Sequence, residues 1–314
     1  MNLPKKGIGE SHGKIILLGE HSVVYGEPSI AIPFPAAKVT TTVTESNHNT
    51  RIDCDFYHGL LDDMPELLES LKETIRVCLT KLNQLNTPLH IEIDSHIPAE
   101  RGMGSSAAVS VATTRALFNY FDQPLDKAEL LKIVDISEKI AHGNPSGLDA
   151  LMTSSPNPCY FIKGQDFQLL DMNLDSYLVV GDTGVTGQTK EAVESIAFQL
   201  TQKNGEIIKN KISQLGELAK TGRFYLENNK GIELGKNMTA VHQLLSELDV
   251  SSPELNNLVQ TALTNHALGA KLTGGGRGGC MIALAETPEI ASTISQALLD
   301  AGAKKTWIYE MRGN

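Results

Sequence analysis

Positive charge is in short supply. The 314 residues carry 27 Lys and Arg against 37 Asp and Glu, a formal net charge of −10 at pH 7. That balance argues against a protein whose main work is gripping nucleic acid, which needs a basic footprint. It also argues against an anionic membrane surface as partner. A small anionic ligand stays open, because backbone N–H groups at a helix start can hold phosphate inside an acidic protein. Cysteine is rare as well: Cys54, Cys78, Cys159 and Cys280 are the four. None forms a Cys-x-x-Cys pair, so neither a zinc site nor a redox couple is signalled, and the set reads as reduced thiols of a cytoplasmic protein. No stretch approaches the roughly 18 apolar residues of a membrane span. The opening Met1–Glu10 lacks the apolar core of a signal peptide. There is no internal repeat and no low-complexity segment, and the 27 Gly and 13 Pro are an ordinary share that excludes collagen-like design.

What is present suits an ordinary globular chain of about two domains. A composition shift near 160–176 suggests a boundary that divides 1–170 from 171–314. The first third is patterned for strands. Lys14–Leu18 is a short apolar run, Val39–Thr44 is β-branched, residues 51–57 alternate, and Leu89, Ile91 and Ile93 alternate again. Between them, Pro65–Leu85 carries Leu68, Leu71, Ile75, Cys78 and Leu82 at helical spacing. A helical middle follows. Ser105 or Ser106 is the predicted cap of a helix to about Tyr120, Asp126 opens another that stops near Gly143, and a third begins after the turn Asn144-Pro145-Ser146-Gly147. Tyr177–Gly181 reads as a strand. Helical patterns fill 189–203, 206–228, 232–247 and 254–268. A Gly-rich turn leads to strand Cys280–Ala285, then helix Thr287–Ala301 and closing strand Thr306–Met311.

Four motifs carry chemistry. Gly102-Met103-Gly104-Ser105-Ser106-Ala107-Ala108 follows Pro98-Ala99-Glu100-Arg101 and opens a helix. Glycines let a backbone approach an anion, and a helix start offers unpaired N–H groups and a positive dipole end. It is not a Walker A loop, since no Lys-Ser or Lys-Thr follows. It matches Gly-x-Gly-x-x-Ala of dinucleotide folds in letters only, because the next segment is another helix instead of a strand. Lys14 opens a buried run that ends in Gly19-Glu20-His21, which places polar side chains at a strand end. Glu138 lies in the last turns of a helix, where an acid needs a cation beside it; His142 and the turn to Asp149 follow. Ser146-x-x-Asp149 also reads as a capping box with Asp in place of Glu. Lys271-Leu272-Thr273 runs into Gly274-Gly275-Gly276-Arg277-Gly278-Gly279. So many glycines cost conformational entropy and suggest a backbone packed close to a ligand or another loop, more than a simple hairpin turn.

Taken together, these segments resemble the GHMP kinase superfamily, and the resemblance spans essentially the whole chain. The form is similar to the branch that phosphorylates mevalonate. Lys14–Gly26 resembles its first motif and His142–Asp149 its catalytic segment. The galactose-specific branch would show Thr and Asp where Ser22 and Val23 stand. The resemblance implies an α/β (α+β) two-domain fold: an N-terminal domain, 1–170, related to ribosomal protein S5 domain 2, and a ferredoxin-like C-terminal domain, 171–314. It implies ATP-dependent phosphorylation of the primary hydroxyl of mevalonate, a step of isoprenoid biosynthesis, with ATP and Mg²⁺ as cofactors.

Residue by residue, the resemblance makes Asp149 the catalytic base and Lys14 the lysine that steadies the acceptor oxygen. Ser106 and Glu138 are the implied Mg²⁺ ligands. The ATP phosphate loop comprises Pro98, Ala99, Glu100, Arg101, Gly102, Met103, Gly104, Ser105, Ser106, Ala107 and Ala108. Glu20, His21, Thr273 and Gly275 line the implied mevalonate pocket. Glu100 and Arg101 make the start of the loop more polar than is usual in the family. Arg277 stands where another Gly is usual, so it touches a phosphate or covers the loop. A sister kinase with a phosphorylated acceptor and a non-catalytic ligand sensor are the alternatives. No nucleic acid or membrane partner is expected, and the family suggests a homodimer.

Overall fold

The computed structural model describes residues 5–143 and 145–312. The chain forms two compact units that do not follow chain order. The first takes residues up to Lys14, Ala37–Ala99 and Gly104–Ser155; the second takes Ile15–Ala36, Glu100–Met103 and the chain from Pro156 onward. Strands β1 (Gly7–Leu18) and β2 (Ser29–Glu45) therefore each contribute to both.

In the first unit, β5 (Leu89–Ser95) lies antiparallel to the Val39–Glu45 part of β2 and parallel to β3 (Arg51–Cys54), which pairs with β4 (Tyr57–Leu60). The alternation at 51–57 thus belongs to a hairpin, not to one strand; the chain turns at Asp55 and Phe56. Helix α1 (Glu69–Lys81) starts four residues after Pro65, behind a short 3-10 turn at Glu66–Leu68. It packs with α2 (Ser105–Tyr120) and α3 (Lys127–His142), and α4 (Leu148–Ser154) packs on α2. Asp126 caps α3 as its sequence position suggests, accepting from the Glu129 N–H at 2.8 Å, a contact worth about 1 kcal/mol. Helix α2 is buried nearly all round, and its alanines let neighbours close in. At Gly9 on β1 a Cβ would stand 2.1 Å from the Ala112 carbonyl oxygen, so only glycine lets this strand lie against the helix.

The second unit holds the sheet β11-β8-β10-β9, made of β8 (Asn173–Asp182), β9 (Gly269–Thr273), β10 (Cys280–Ala285) and β11 (Lys305–Arg312). All its pairings are antiparallel. Helices α5 (Thr189–Leu200), α6 (Gly205–Glu227), α7 (Gly231–Glu247) and α8 (Pro253–Thr264) separate β8 from β9. Helix α9 (Pro288–Asp300) separates β10 from β11. This is the ferredoxin-like order, with the first and third strands central. Every residue of β10 is buried, which explains its unbroken apolar run. The N-terminal part of β2 pairs with β6 (Cys159–Phe161), and β6 with β7 (Gln168–Leu169). No described helix is long and apolar enough to cross a membrane.

His242 of α7 ties that helix to β9. Its Nδ1 accepts from the Leu272 N–H at 3.3 Å, and its Nε2–H donates to Asn256 Oδ1 at 3.1 Å. Only the neutral ring can do both. Burial, with the Lys271 charge nearby, lowers its pKa to about 4 from 6.5. Below pH 6.5 the unfolded chain then binds the extra proton and the folded chain does not, so stability falls as pH drops toward 4, by up to about 1.4 kcal/mol per pH unit from this group. Chemical unfolding measured from pH 7 to pH 5 should show this slope, and His242→Gln should flatten it; equal slopes would remove His242 as its source.

Candidate active site

Within the first unit, the last glycine of the glycine-rich segment opens α2. Gly104, at φ 70°, is the residue before the helix, and no side chain caps it. The expected capping by Ser105 or Ser106 is not what forms: both are already helical, because the left-handed Gly104 completes the turn one residue earlier. The Ala108 N–H makes the first intrahelical bond, to the Gly104 carbonyl at 2.9 Å. The N–H groups of Ser105, Ser106 and Ala107 precede that ladder, an arrangement that suits an anion.

Asp149 stands at the start of α4. The capping-box reading fails here too. Gly147, left-handed at φ 78°, takes the cap position without a side-chain bond, and the Leu148 N–H goes to Ser146 Oγ at 3.3 Å. Asp149 instead faces Lys14, with Oδ1 3.2 Å from Nζ. The lysine side chain is 8% exposed and the carboxylate 34%, so a reactant can reach the carboxylate while the ammonium stays shielded. Asn144, within the 142–149 segment, lies outside the described residues.

Two further sequence candidates, Ser106 and Glu138, stand on the neighbouring helices α2 and α3. Ser106 Oγ is buried and has no hydrogen-bond partner among the described residues. Glu138 on α3 is 3% exposed. A buried hydroxyl without a partner is costly unless something binds it, and a buried carboxylate near a helix C-terminus favours a cation. Hard oxygen donors with few protein carboxylates are what Mg²⁺ takes when phosphates supply the rest, so these residues fit the metal. Among the described residues no cluster of three or more His, Cys, Asp or Glu could hold a metal alone.

The second unit gathers the remaining sequence candidates. The Glu20 carboxylate and the Lys271 ammonium form an ion pair with both side chains at 0% exposure. Burial pulls the lysine below its ordinary range while Glu20 holds it up. Lys271 also donates to the Leu272 carbonyl at 2.7 Å. Lys271, the middle residue of β9, carries no role in the motif that contains it, because nothing local to the sequence marks its partner Glu20. His21, at φ 60°, approaches the Gly275 carbonyl with Nε2 at 3.0 Å. Desolvation lowers its pKa to about 4, so the ring is neutral, Nε2–H is the donor, and Nδ1 is left as an acceptor. Thr273 Oγ1 donates to the Ile16 carbonyl at 2.9 Å. The glycine run does join β9 to β10 as a hairpin, with Thr273 opposite Cys280, the simpler of the two expectations. It is packed against another loop as well: a Cβ on Gly102 would lie 3.3 Å from Gly274 Cα.

The polar start of the loop has a structural use. Arg101 donates from Nε to Asp182 Oδ1 at 3.1 Å, and from its other nitrogens to Thr186 Oγ1 at 3.1 Å and the Gly184 carbonyl at 3.0 Å. The Glu100 carbonyl accepts from the Gly187 N–H at 3.1 Å. Arg277 donates to the Asp249 carbonyl and carboxylate, each at 3.0 Å, so it covers the end of α7.

Comparison with known families identifies this arrangement. The profile described as GHMP kinases N terminal domain matches residues 69–155, and GHMP kinases C terminal matches 225–304. The chain belongs to the GHMP kinases. It is similar to the mevalonate kinase of Pyrococcus abyssi, with 32% identity over 94% of each chain. It resembles the crystal structure of mevalonate kinase from methicillin-resistant Staphylococcus aureus at 35% identity and a TM-score of 0.80, over 98% of this chain and all of that one. Against L. major mevalonate kinase in complex with R-mevalonate the TM-score is 0.84 at 26% identity, over 100% of this chain and 99% of that one. In this GHMP kinase the N-terminal match contains Gly104, Ser106, Glu138 and Asp149.

Gly104 admits no side chain without cost. Its φ is left-handed, and a Cβ would lie 3.0 Å from Lys14 Cγ, 3.2 Å from Thr153 and 3.5 Å from Asp149 Oδ2. Gly104→Val should therefore disturb the helix start and the Lys14–Asp149 pair together. ATP affinity by calorimetry is expected to fall at least about tenfold, roughly 1.4 kcal/mol; unchanged affinity would return the segment to a simple helix start.

Proposed function

We propose that this chain transfers the γ-phosphoryl group of ATP to the primary hydroxyl of mevalonate, giving 5-phosphomevalonate and ADP. The observation that carries the reaction is the Lys14–Asp149 pair, 3.2 Å apart, beside the uncapped start of α2. Its Cβ environment at Gly104 ties the two features together, since Lys14 and Asp149 both border that residue. Identity of the acceptor is supported by the curated relatives, which are mevalonate kinases over most of both chains.

Phosphoryl transfer asks for positioning and charge neutralisation more than for covalent chemistry. The N–H groups of Ser105, Ser106 and Ala107 bind phosphate oxygens, and residues Pro98–Ala108 form the nucleotide loop. Ser106 and Glu138 would hold Mg²⁺, which when bound neutralises phosphate charge. Asp149 accepts the proton of the acceptor hydroxyl as the oxygen bonds to the γ-phosphorus and the bond to the leaving oxygen breaks. Lys14 steadies the developing alkoxide. His21, Thr273 and Gly275 contribute the mevalonate contacts, with the neutral His21 offering Nδ1. Glu20 serves that group indirectly, by holding the His21 turn to β9 through Lys271.

A phosphorylated acceptor would need further cations to receive its phosphate. Lys271, Arg101 and Arg277 are each engaged by a carboxylate, of Glu20, Asp182 and Asp249, which favours the unphosphorylated acceptor. The same reading assigns segments 1–170 and 171–314 to the two family domains. It also places the enzyme in the cytoplasm, where cysteines stay reduced, as a homodimer.

Coupled ADP release with mevalonate, phosphomevalonate, galactose and homoserine tests the acceptor, and mevalonate should be strongly preferred. Asp149→Asn tests the base. The side chain caps nothing, so unfolding temperature should barely move, while kcat should fall by at least about 10²-fold because an amide takes no proton. A variant that keeps its kcat would leave the mechanism without a base.

A further inference from the structure

Two hydroxyls are buried where α2 meets α3, and the mechanism above does not use them. Ser110 and Ser137 are 1% and 0% exposed, with their Oγ atoms 2.7 Å apart. The same two helices also share an apolar cluster that includes Ala107, Val111, Leu130 and Val134. Thr74 on α1 adds a hydroxyl 3.4 Å from Ser110 Oγ. Stability alone does not call for serines here, since replacing both partners of a buried hydrogen bond by apolar groups of similar shape is close to neutral. A hydrogen bond sets a distance and a direction, whereas apolar contact is non-directional and lets helices slide.

The helices run antiparallel. Phe118 and Leu130 line one hollow, while Ser110, about two turns earlier on α2, bonds Ser137, about two turns later on α3. Moving from the serine pair toward the start of α2 is therefore moving toward the end of α3. In that direction lie Ser106, one turn before Ser110 on the same face, and Glu138, the next residue after Ser137. Both oxygen donors assigned to Mg²⁺ thus sit on one side of the Ser110–Ser137 hydrogen bond.

We propose that Ser110 and Ser137 are positioning residues for the divalent cation: their bond locks the register of α2 against α3 and so fixes the spacing of Ser106 and Glu138. The proposal rests on the metal assignment made above. Mg²⁺ demands near-ideal octahedral geometry at about 2.0–2.1 Å, so a small slip between the two helices is enough to spoil it.

The test uses the double variant Ser110→Ala/Ser137→Ala, with Glu138→Gln as reference. Mn²⁺ binding is read by the paramagnetic resonance signal of the free ion, with a non-hydrolysable ATP analogue present, and thermal unfolding is followed on the same samples. The double variant should unfold within a few degrees of the parent yet bind Mn²⁺ about 10-fold or more weakly, the usual loss when a ligand's outer support is removed. Parent-like Mn²⁺ binding in the double variant, with loss in Glu138→Gln, overturns the proposal and leaves the metal assignment standing. Parent-like binding in both overturns the assignment and the proposal with it. Should the double variant unfold, Ser137→Thr and Ser137→Val replace it: the hydroxyl-bearing variant should keep Mn²⁺ affinity and the apolar one lose it, and equal affinities overturn the proposal.

Discussion

The uncapped start of α2 is the constraint around which the first unit is arranged. The first N–H groups of α2 meet no capping side chain, and such groups at a helix start seek an acceptor. Gly104 makes that start possible by completing the turn in a left-handed conformation. The burial of α2 against β1, α1, α3 and α4 then holds it still. Small residues on α2 and glycines on β1 are the compositional consequence. Lys14 and Asp149 lie beside Gly104, and Ser106 stands in the first turn that follows it.

Charge is handled differently in the two units, and the difference follows function. Lys14 and Asp149 stay 3.2 Å apart with the carboxylate a third exposed, a geometry that leaves room for a reactant. Glu20 and Lys271 are sealed from solvent. Removing one partner of such a sealed pair costs about 3–5 kcal/mol, whereas the intact pair adds little net stability. Its effect is conformational: it holds the turn bearing His21 to the strand that leads into Thr273 and Gly275. Arg101 acts in the same manner, and a guanidinium suits the task because its planar fork reaches three acceptors at once.

Much of this was legible in the residue order, for local reasons. Apolar periodicity, Asp126 before a helical run, glycine clusters and proline positions are short-range signals, and they located α3, β5, β10 and the long helices of the second unit closely. The motifs also supply residue types, in Lys14, Ser106, Glu138 and Asp149, that suit the proton, phosphate and Mg²⁺ work proposed for them. Where local signals competed, reading by pattern went astray. Ser105, Ser106 and Ser146-x-x-Asp149 look like caps, but a neighbouring glycine took each cap position because only glycine adopts the left-handed turn without strain. The alternation at 51–57 ran on through a hairpin, since a period of two does not record where a chain reverses.

The sequence by itself determined the family, the order of elements and the residue types able to do the chemistry, because these follow from spacing along the chain. Tertiary structure alone decided pairings between distant positions: Glu20 with Lys271, Arg101 with the 182–186 turn, His242 with Leu272, and Ser110 with Ser137. It also decided that Ile15–Ala36 and Glu100–Met103 join the unit containing the C-terminal half of the chain. The reason is physical. A side chain's partner, burial and protonation depend on what the fold brings beside it, and no periodicity along the chain encodes a contact made across two hundred residues.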